Sequence, residues 1–400
     1  MNEECRKSLR APSEANNPYF RNPHSQAGFA PDLRVQLDAQ RERCPVMHAP
    51  DGSITLLSHE DVCAAALDPE TFSSAVSAHR AIPNSLDGEE HKKYRALIDK
   101  YLTEEEVLLQ EPQCQKHASE IIASLPRETT VRTVLDIGTP FAVRTQSTWL
   151  SWPQEIEDVL VAWMADNREA TRSGKREKMA DVAERFDAII TSLINDLGSD
   201  TGEDVLSRLM REEIDGQKLT KTEIVSILRN WTAGDLGSLA ASVGVIVHHL
   251  ATDIALQEYL RSLVAKKKTK EFEDAIEEIL RIDDPFVSNR RIATKDTEVA
   301  GVRIDKGTRV ILNWTSANRD PKAFREPDAF NPDEHSEANI VFGIGSHICP
   351  GRALTLMELR VIIWELLTQT KHVAMSTERP PVRETPPVSG WAKVPVILYA

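Results

Sequence analysis

The chain has 400 residues, 41% of them hydrophobic and 28% charged, an ordinary balance for a globular protein and enough for one large core or two to three average domains. Its 48 Lys and Arg against 62 Asp and Glu leave a formal charge of −14, which argues against the basic footprint of a general nucleic-acid binder. Five scattered cysteines (Cys5, Cys44, Cys63, Cys114, Cys349) do not make a disulfide framework, and the polar start and the lack of an apolar run of about 18 residues point to a cytoplasmic protein outside the membrane.

In chain order, residues 1 to 35 are rich in Asn, Pro and Ser and are expected as a loosely ordered arm, followed by one catalytic domain over 36–400. Asp32 to Glu42 is a short helix candidate. Ser53 to Leu57 reads as a strand after the turn Asp51-Gly52, and Ser58 caps a helix through Val62 and Ala66. Residues 71 to 90 form a loop long enough to be functional. Helical patterns fill 91–125 and 154–196, with the charged run Arg172 to Lys178 as a turn. Thr220-Lys221-Thr222-Glu223 is a capping box that opens the longest helix, to about Leu250. Its middle reads Trp231-Thr232-Ala233-Gly234-Asp235-Leu236-Gly237-Ser238; each glycine there costs roughly 1 kcal/mol relative to alanine, so something large is expected to lie against it. Helices continue to Ile282, strands are expected at Glu298 to Ile304 and Arg309 to Asn313, and Pro321, Pro327 and Pro332 punctuate an irregular stretch. The fold class is therefore mainly α with small β-sheets.

The densest signal is Phe342-Gly343-Ile344-Gly345-Ser346-His347-Ile348-Cys349-Pro350-Gly351. Gly343 and Gly345 let the backbone take conformations closed to other residues. Pro350 and the apolar-periodic run after it place Cys349 at a helix N-terminus, where free amides and the helix dipole favour a thiolate. Such a thiolate is a metal ligand or a nucleophile, and zinc is a poor fit because no second Cys or His pair stands at finger-like spacing. Taken whole, the segment resembles the haem-binding loop of the cytochrome P-450 family, Phe-Gly-x-Gly-x-His-x-Cys-x-Gly, at all six fixed positions.

That resemblance implies one large fold with a long central helix over haem b, and Cys349 as the iron ligand. It implies that Phe342, Gly343 and Gly351 shape the cofactor loop, and that His91, Arg95, Arg291 and His347 are partners for the haem propionates. Glu278 and Arg281 match the family's Glu-x-x-Arg pair. The arginine that completes this network elsewhere is replaced here by Glu334, so His335 is the candidate donor. On the oxygen side the family carries an acid followed by threonine, where this chain has Leu236 and Gly237. Asp235 and Ser238 share a helical face and are the candidate replacement pair. The substrate pocket is expected from the loop 74–90, Ala233, Gly234, the segment Pro285 to Ser288 with Phe286 and Val287, and the turn Val388 to Trp391.

The implied function is insertion of one atom of dioxygen into a small, largely apolar or aromatic molecule by hydroxylation or oxidative dealkylation. Electrons would come from NAD(P)H through a ferredoxin-like or flavin partner docked on the thiolate side, where Lys92, Lys93, Arg352 and Arg360 offer positive charge, or through a reductase fused beyond Ala400. The alternatives are a haem-thiolate enzyme that uses peroxide or rearranges its substrate, and a non-catalytic haem sensor.

Overall fold

A computed structural model describes residues 32–76, 80–197, 202–385 and 390–400. The expected arm lies outside these residues up to position 31, as do Val388 and Ser389 of the C-terminal turn. Positions 33–35, assigned to the arm, already belong to the helix Leu33–Arg43, which Asp32 caps by accepting from the amide of Arg34. The described chain is mostly helical with small sheets. It forms two compact units: one from Arg80 and earlier, Asn84–Lys92 and Leu280–Cys349, the other from Ala81–Pro83, Lys93–Ile279 and Pro350–Ala400.

The first unit is organised by a five-stranded sheet in the order Val46–His48, Ile54–Leu56, Arg309–Asn313, Ser288–Ala293, Phe72–Ser73. The Ile54–Leu56 and Arg309–Asn313 pair is parallel and the others are antiparallel. Ile54, Leu56, Val310, Leu312, Phe72 and Ala293 bury one face together with Val62, Ala65 and Ala66 of the helix His59–Leu67. Ser58 caps that helix as expected, its hydroxyl accepting from the amide of Asp61. Ile344 of the glycine loop packs on this core, so the sheet sets the position of the segment that carries Cys349. The single strand expected over Glu298 to Ile304 is instead a hairpin, Thr297–Val299 with Val302–Ile304, because Ala300 and Gly301 turn the chain at positive φ.

The second unit is built around the helix Lys221–Thr252, 32 residues long. At about 1.5 Å per residue it spans roughly 48 Å. Both bonds of its capping box are made: Thr220 Oγ1 accepts from the Glu223 amide, and the Thr220 amide donates to Glu223 Oε2 at 2.7 Å. Leu239, Ala240, Val243, Val245, Ile246 and Val247 are buried, a spread around the helix that no single-faced amphipathic pattern gives. It packs against the helices Thr139–Trp149, Arg176–Leu197 and Arg352–Gln369, and the last of these also packs along Glu104–Ser124. No single helix among the described residues is long and apolar enough to cross a membrane.

Candidate functional site

In the first unit, the loop before Cys349 is held from three directions. Gly343 and Gly345 have φ of 77° and 79°, the left-handed region that disfavours a side chain. A Cβ on Gly345 would also stand 3.1 Å from Leu67 and 3.2 Å from the Ala66 carbonyl, so the loop lies hard against the helix His59–Leu67. The Cys349 amide donates to the Phe342 carbonyl at 2.8 Å, closing the loop on itself. The helix itself begins at Arg352 with Gly351 as its cap, so Cys349 precedes it by three residues rather than sitting in its first turn. Proline and glycine at 350 and 351 delay the start, and the Thr355 amide bonds back to Gly351. The thiol of Cys349 is free of any disulfide and partly exposed.

Beside the loop lies a polar cluster. His347 Nε2 stands 3.1 Å from Ser74 Oγ and 3.2 Å from Asp87 Oδ1, and its ring lies 4.1 Å from that of His91. Asp87 also accepts from the Ser73 hydroxyl at 2.6 Å and the Ser74 amide at 2.9 Å. Its carboxylate pKa is lowered by these bonds despite its partial burial. Arg291, 6% exposed, donates to the Arg290 carbonyl at 2.9 Å and makes no ion pair among the described residues. Burial lowers its pKa while Asp87 opposes the shift. A buried guanidinium with so little compensation wants another anion, and a group bearing carboxylates satisfies that demand. Ser74 and Asp87 belong to the loop 74–90 that the sequence assigns to the substrate pocket; both lie within hydrogen-bond distance of His347.

Arg281 is fully buried and donates to the carbonyls of Asn318 at 2.7 Å and Pro327 at 3.0 Å, with its guanidinium 4.7 Å from the centroid of Phe324. The edge-on ring of His335 reaches Phe324 at 5.6 Å, and His335 Nε2 donates to the Arg325 carbonyl at 2.8 Å. His335 is thus a buried donor in the irregular stretch, its bond going to the Arg325 carbonyl. Of the expected pocket residues here, Phe286 is 48% exposed, whereas Val287 is buried and its carbonyl accepts from the Trp314 amide.

In the second unit, Gly234 and Gly237 are exposed and a Cβ at either would meet nothing within 4 Å. The long helix therefore presents a smooth, open stretch there, with Ala233 half-exposed beside it. The expected joint action of Asp235 and Ser238 is not what the geometry shows. The Ser238 hydroxyl donates to the carbonyls of Gly234 at 2.8 Å and Asp235 at 3.1 Å, within its own helix. Asp235 Oδ2 is enclosed and has no hydrogen-bond partner. Burial raises its pKa to about 7. The group it meets electrostatically is Glu358 on Arg352–Gln369, itself 2% exposed and raised by burial and by Asp235.

Trp391 does not offer an aromatic face. Arg383 lies 3.7 Å from its ring centroid and the ring of His248 stacks at 3.8 Å; two groups that close cannot share one face, so both faces are covered. Arg95 pairs with Asp99 at 3.0 Å. The expected basic patch is also changed. Arg360 is 8% exposed, clamped between Glu111 and Glu273, while Arg352 pairs with Glu277, Lys92 with Glu89 and Lys93 with Asp215. The net charge of −14 explains why each of these cations already has a carboxylate of its own chain.

Comparison with known proteins agrees with this loop. The cytochrome P450 family model matches residues 163–398, and the chain belongs to that family. It is similar to cytochrome P450 109 of Bacillus spizizenii, 26% identical over 90% of each chain. It is also similar to an erythromycin C-12 hydroxylase of Saccharopolyspora erythraea, 27% identical over 83% of this chain and 86% of that one. Among solved structures, the open form of cytochrome P450 EryK from S. erythraea superposes with a TM-score of 0.81 at 25% identity, covering 92% of this chain and 95% of that one. The chain is an oxygen-incorporating oxidoreductase of the haem-thiolate class.

Proposed function

We propose that this protein is a single-domain monooxygenase that inserts one atom of dioxygen into a small, largely apolar or aromatic organic molecule, in the cytoplasm. Haem b would be held by Cys349, with Phe342, Gly343 and Gly351 shaping its loop and Arg291, His347, His91 and Arg95 as candidate partners of its carboxylates. The group supplies reductive activation of dioxygen, favoured by electron donation from a thiolate ligand; the protein supplies binding, orientation and protons. The observation that carries this reading is the buried, under-compensated Arg291 in the same unit as the glycine-braced Cys349 loop. The printed names of relatives, an erythromycin C-12 hydroxylase, a linalool 8-monooxygenase and an epothilone C/D epoxidase, favour hydroxylation or epoxidation of an apolar skeleton.

Electrons would come from NAD(P)H through a ferredoxin-like or flavin partner. Because Arg352, Arg360, Lys92 and Lys93 are all engaged by carboxylates of the chain, partner docking would rest on exchange of these pairs rather than on free positive charge. A second reading, use of peroxide without a reductase, is favoured by Gly237 at the position of the usual threonine. The test is turnover of a panel of terpenoid, steroid and macrolide compounds under labelled dioxygen, with NADH, a ferredoxin and its reductase, against parallel reactions with peroxide alone. One labelled oxygen in the product supports the monooxygenase; product only with peroxide supports the second reading; no product or spectral response to any compound counts against both.

A further inference from the structure

The first turns of the long helix hold a piece of the chain that belongs to no helix or strand. Ala81–Pro83 lies in the same unit as Lys221–Thr252. Ile82, 2% exposed, has both of its backbone polar groups taken by side chains of that helix. Its amide donates to Ser226 Oγ at 2.9 Å, and its carbonyl accepts from Asn230 Nδ2 at 2.8 Å. A buried peptide outside regular structure needs such partners. Asn230 Nδ2 also donates to the Ser226 carbonyl at 2.8 Å. Both acceptors are carbonyls, so the nitrogen of this amide and not its oxygen must face them. One turn earlier, Glu223 accepts from the Tyr94 hydroxyl. Glu223, Ser226, Asn230, Gly234 and Gly237 follow at steps of three or four and so share one face. Along that face, side chains that grip other parts of the chain give way to two exposed glycines, where a Cβ would meet no other protein atom within 4 Å. Asn230 precedes Gly234 by one turn, about 6 Å of helix.

We propose that Ser226 and Asn230 are positioning residues that clamp the Ile82 peptide as the end wall of the open Gly234–Gly237 stretch, so that the clamp limits how far a bound molecule extends toward the helix N-terminus. The clamp itself stands on its hydrogen bonds; its part in substrate choice rests on the monooxygenase reading above. The two residues act through the peptide they hold. The Ile82 amide and carbonyl cannot leave the helix without giving up partners inside the fold, and an unsatisfied buried group is costly. The wall is therefore stiff beside a stretch that is bare. A compact skeleton fits next to such a wall, whereas an extended chain laid along the helix runs into it.

The test compares the purified holoprotein with the variants Ser226→Ala and Asn230→Ala. Hydrogen–deuterium exchange of residues 80–86 should be about three- to tenfold faster in each variant, the change that one neutral hydrogen bond gives. Exchange in Arg309–Asn313 should be unchanged. Affinities for imidazole, 4-phenylimidazole and 1-dodecylimidazole are read from the Soret shift. Imidazole and 4-phenylimidazole should stay within about twofold of wild type, while 1-dodecylimidazole should bind at least about threefold tighter in both variants. A merely structural role would weaken all three alike. Unchanged exchange at 80–86 in both variants would overturn the clamp. Faster exchange with 1-dodecylimidazole affinity unchanged, or shifted equally with the other two, would overturn the limit on substrate length. No Soret shift with imidazole in the wild type would overturn the haem reading and the substrate role with it, while the exchange result still decides the clamp.

Discussion

The Cys349 loop and the middle of the long helix are both sites where the sequence concentrates glycine, yet they use it in opposite ways. Gly343 and Gly345 sit at positive φ, and Gly345 lies pressed against Ala66 and Leu67, so nothing else fits. Gly234 and Gly237 have ordinary helical backbone, are exposed, and a Cβ at either would meet no other protein atom within 4 Å. The polar groups differ in the same way. Around the loop, Ser73, Ser74, Asp87 and His347 are interlinked by hydrogen bonds. On the helix, Asp235 Oδ2 is enclosed without a hydrogen-bond partner and the Ser238 hydroxyl bonds to its own backbone. The loop satisfies its polar groups within the fold, whereas the helix leaves one carboxylate oxygen unsatisfied.

The largest stability effect should come from the satisfied side. Arg281→Ala removes two charge-assisted bonds to the carbonyls of Asn318 and Pro327, each about 1.5–3 kcal/mol. A loss of about 3–6 kcal/mol, read by denaturant unfolding, is expected; a loss below about 1 kcal/mol would mean the irregular stretch does not depend on it. Arg291→Leu should cost one charge-assisted contact to the cofactor, about 1.5–3 kcal/mol, or roughly ten- to a hundredfold faster haem transfer to an apo-globin acceptor. Unchanged transfer would remove Arg291 from the cofactor's partners. Gly345→Ala forces a left-handed alanine against Leu67, for about 1–2 kcal/mol or more, whereas Gly237→Ala, on the open stretch, should be neutral or slightly stabilising. Equal effects of these two would erase the contrast between the regions. The smallest effect is Ser238→Ala, within about 0.5 kcal/mol, because its hydroxyl only back-bonds to the helix.

What could be read in advance follows the same division. The Cys349 loop was legible because its chemistry is local, a run of fixed residue types in ten positions. The capping box at Thr220 and the cap at Ser58 were legible for the same reason: each is a bond across three residues. The hairpin at Ala300-Gly301 was missed because a strand pattern can continue across a turn when the flanking residues keep alternating. Glu358 was missed although its signal was present, a lone acid among Leu354, Leu356, Met357 and Leu359. The group it meets electrostatically, Asp235, lies 123 positions earlier in the chain. Trp391 was misjudged for a like reason: an aromatic residue's exposure is decided by its neighbours, here Arg383 and His248.

The central claim is that Cys349 ligates haem iron as a thiolate. The absorption spectrum of the reduced protein under carbon monoxide tests it directly. The account predicts the red-shifted Soret band that a thiolate ligand gives, abolished in Cys349→Ser with haem still bound. A Soret band at the position typical of a histidine-ligated haem, or one unchanged in Cys349→Ser, would contradict it.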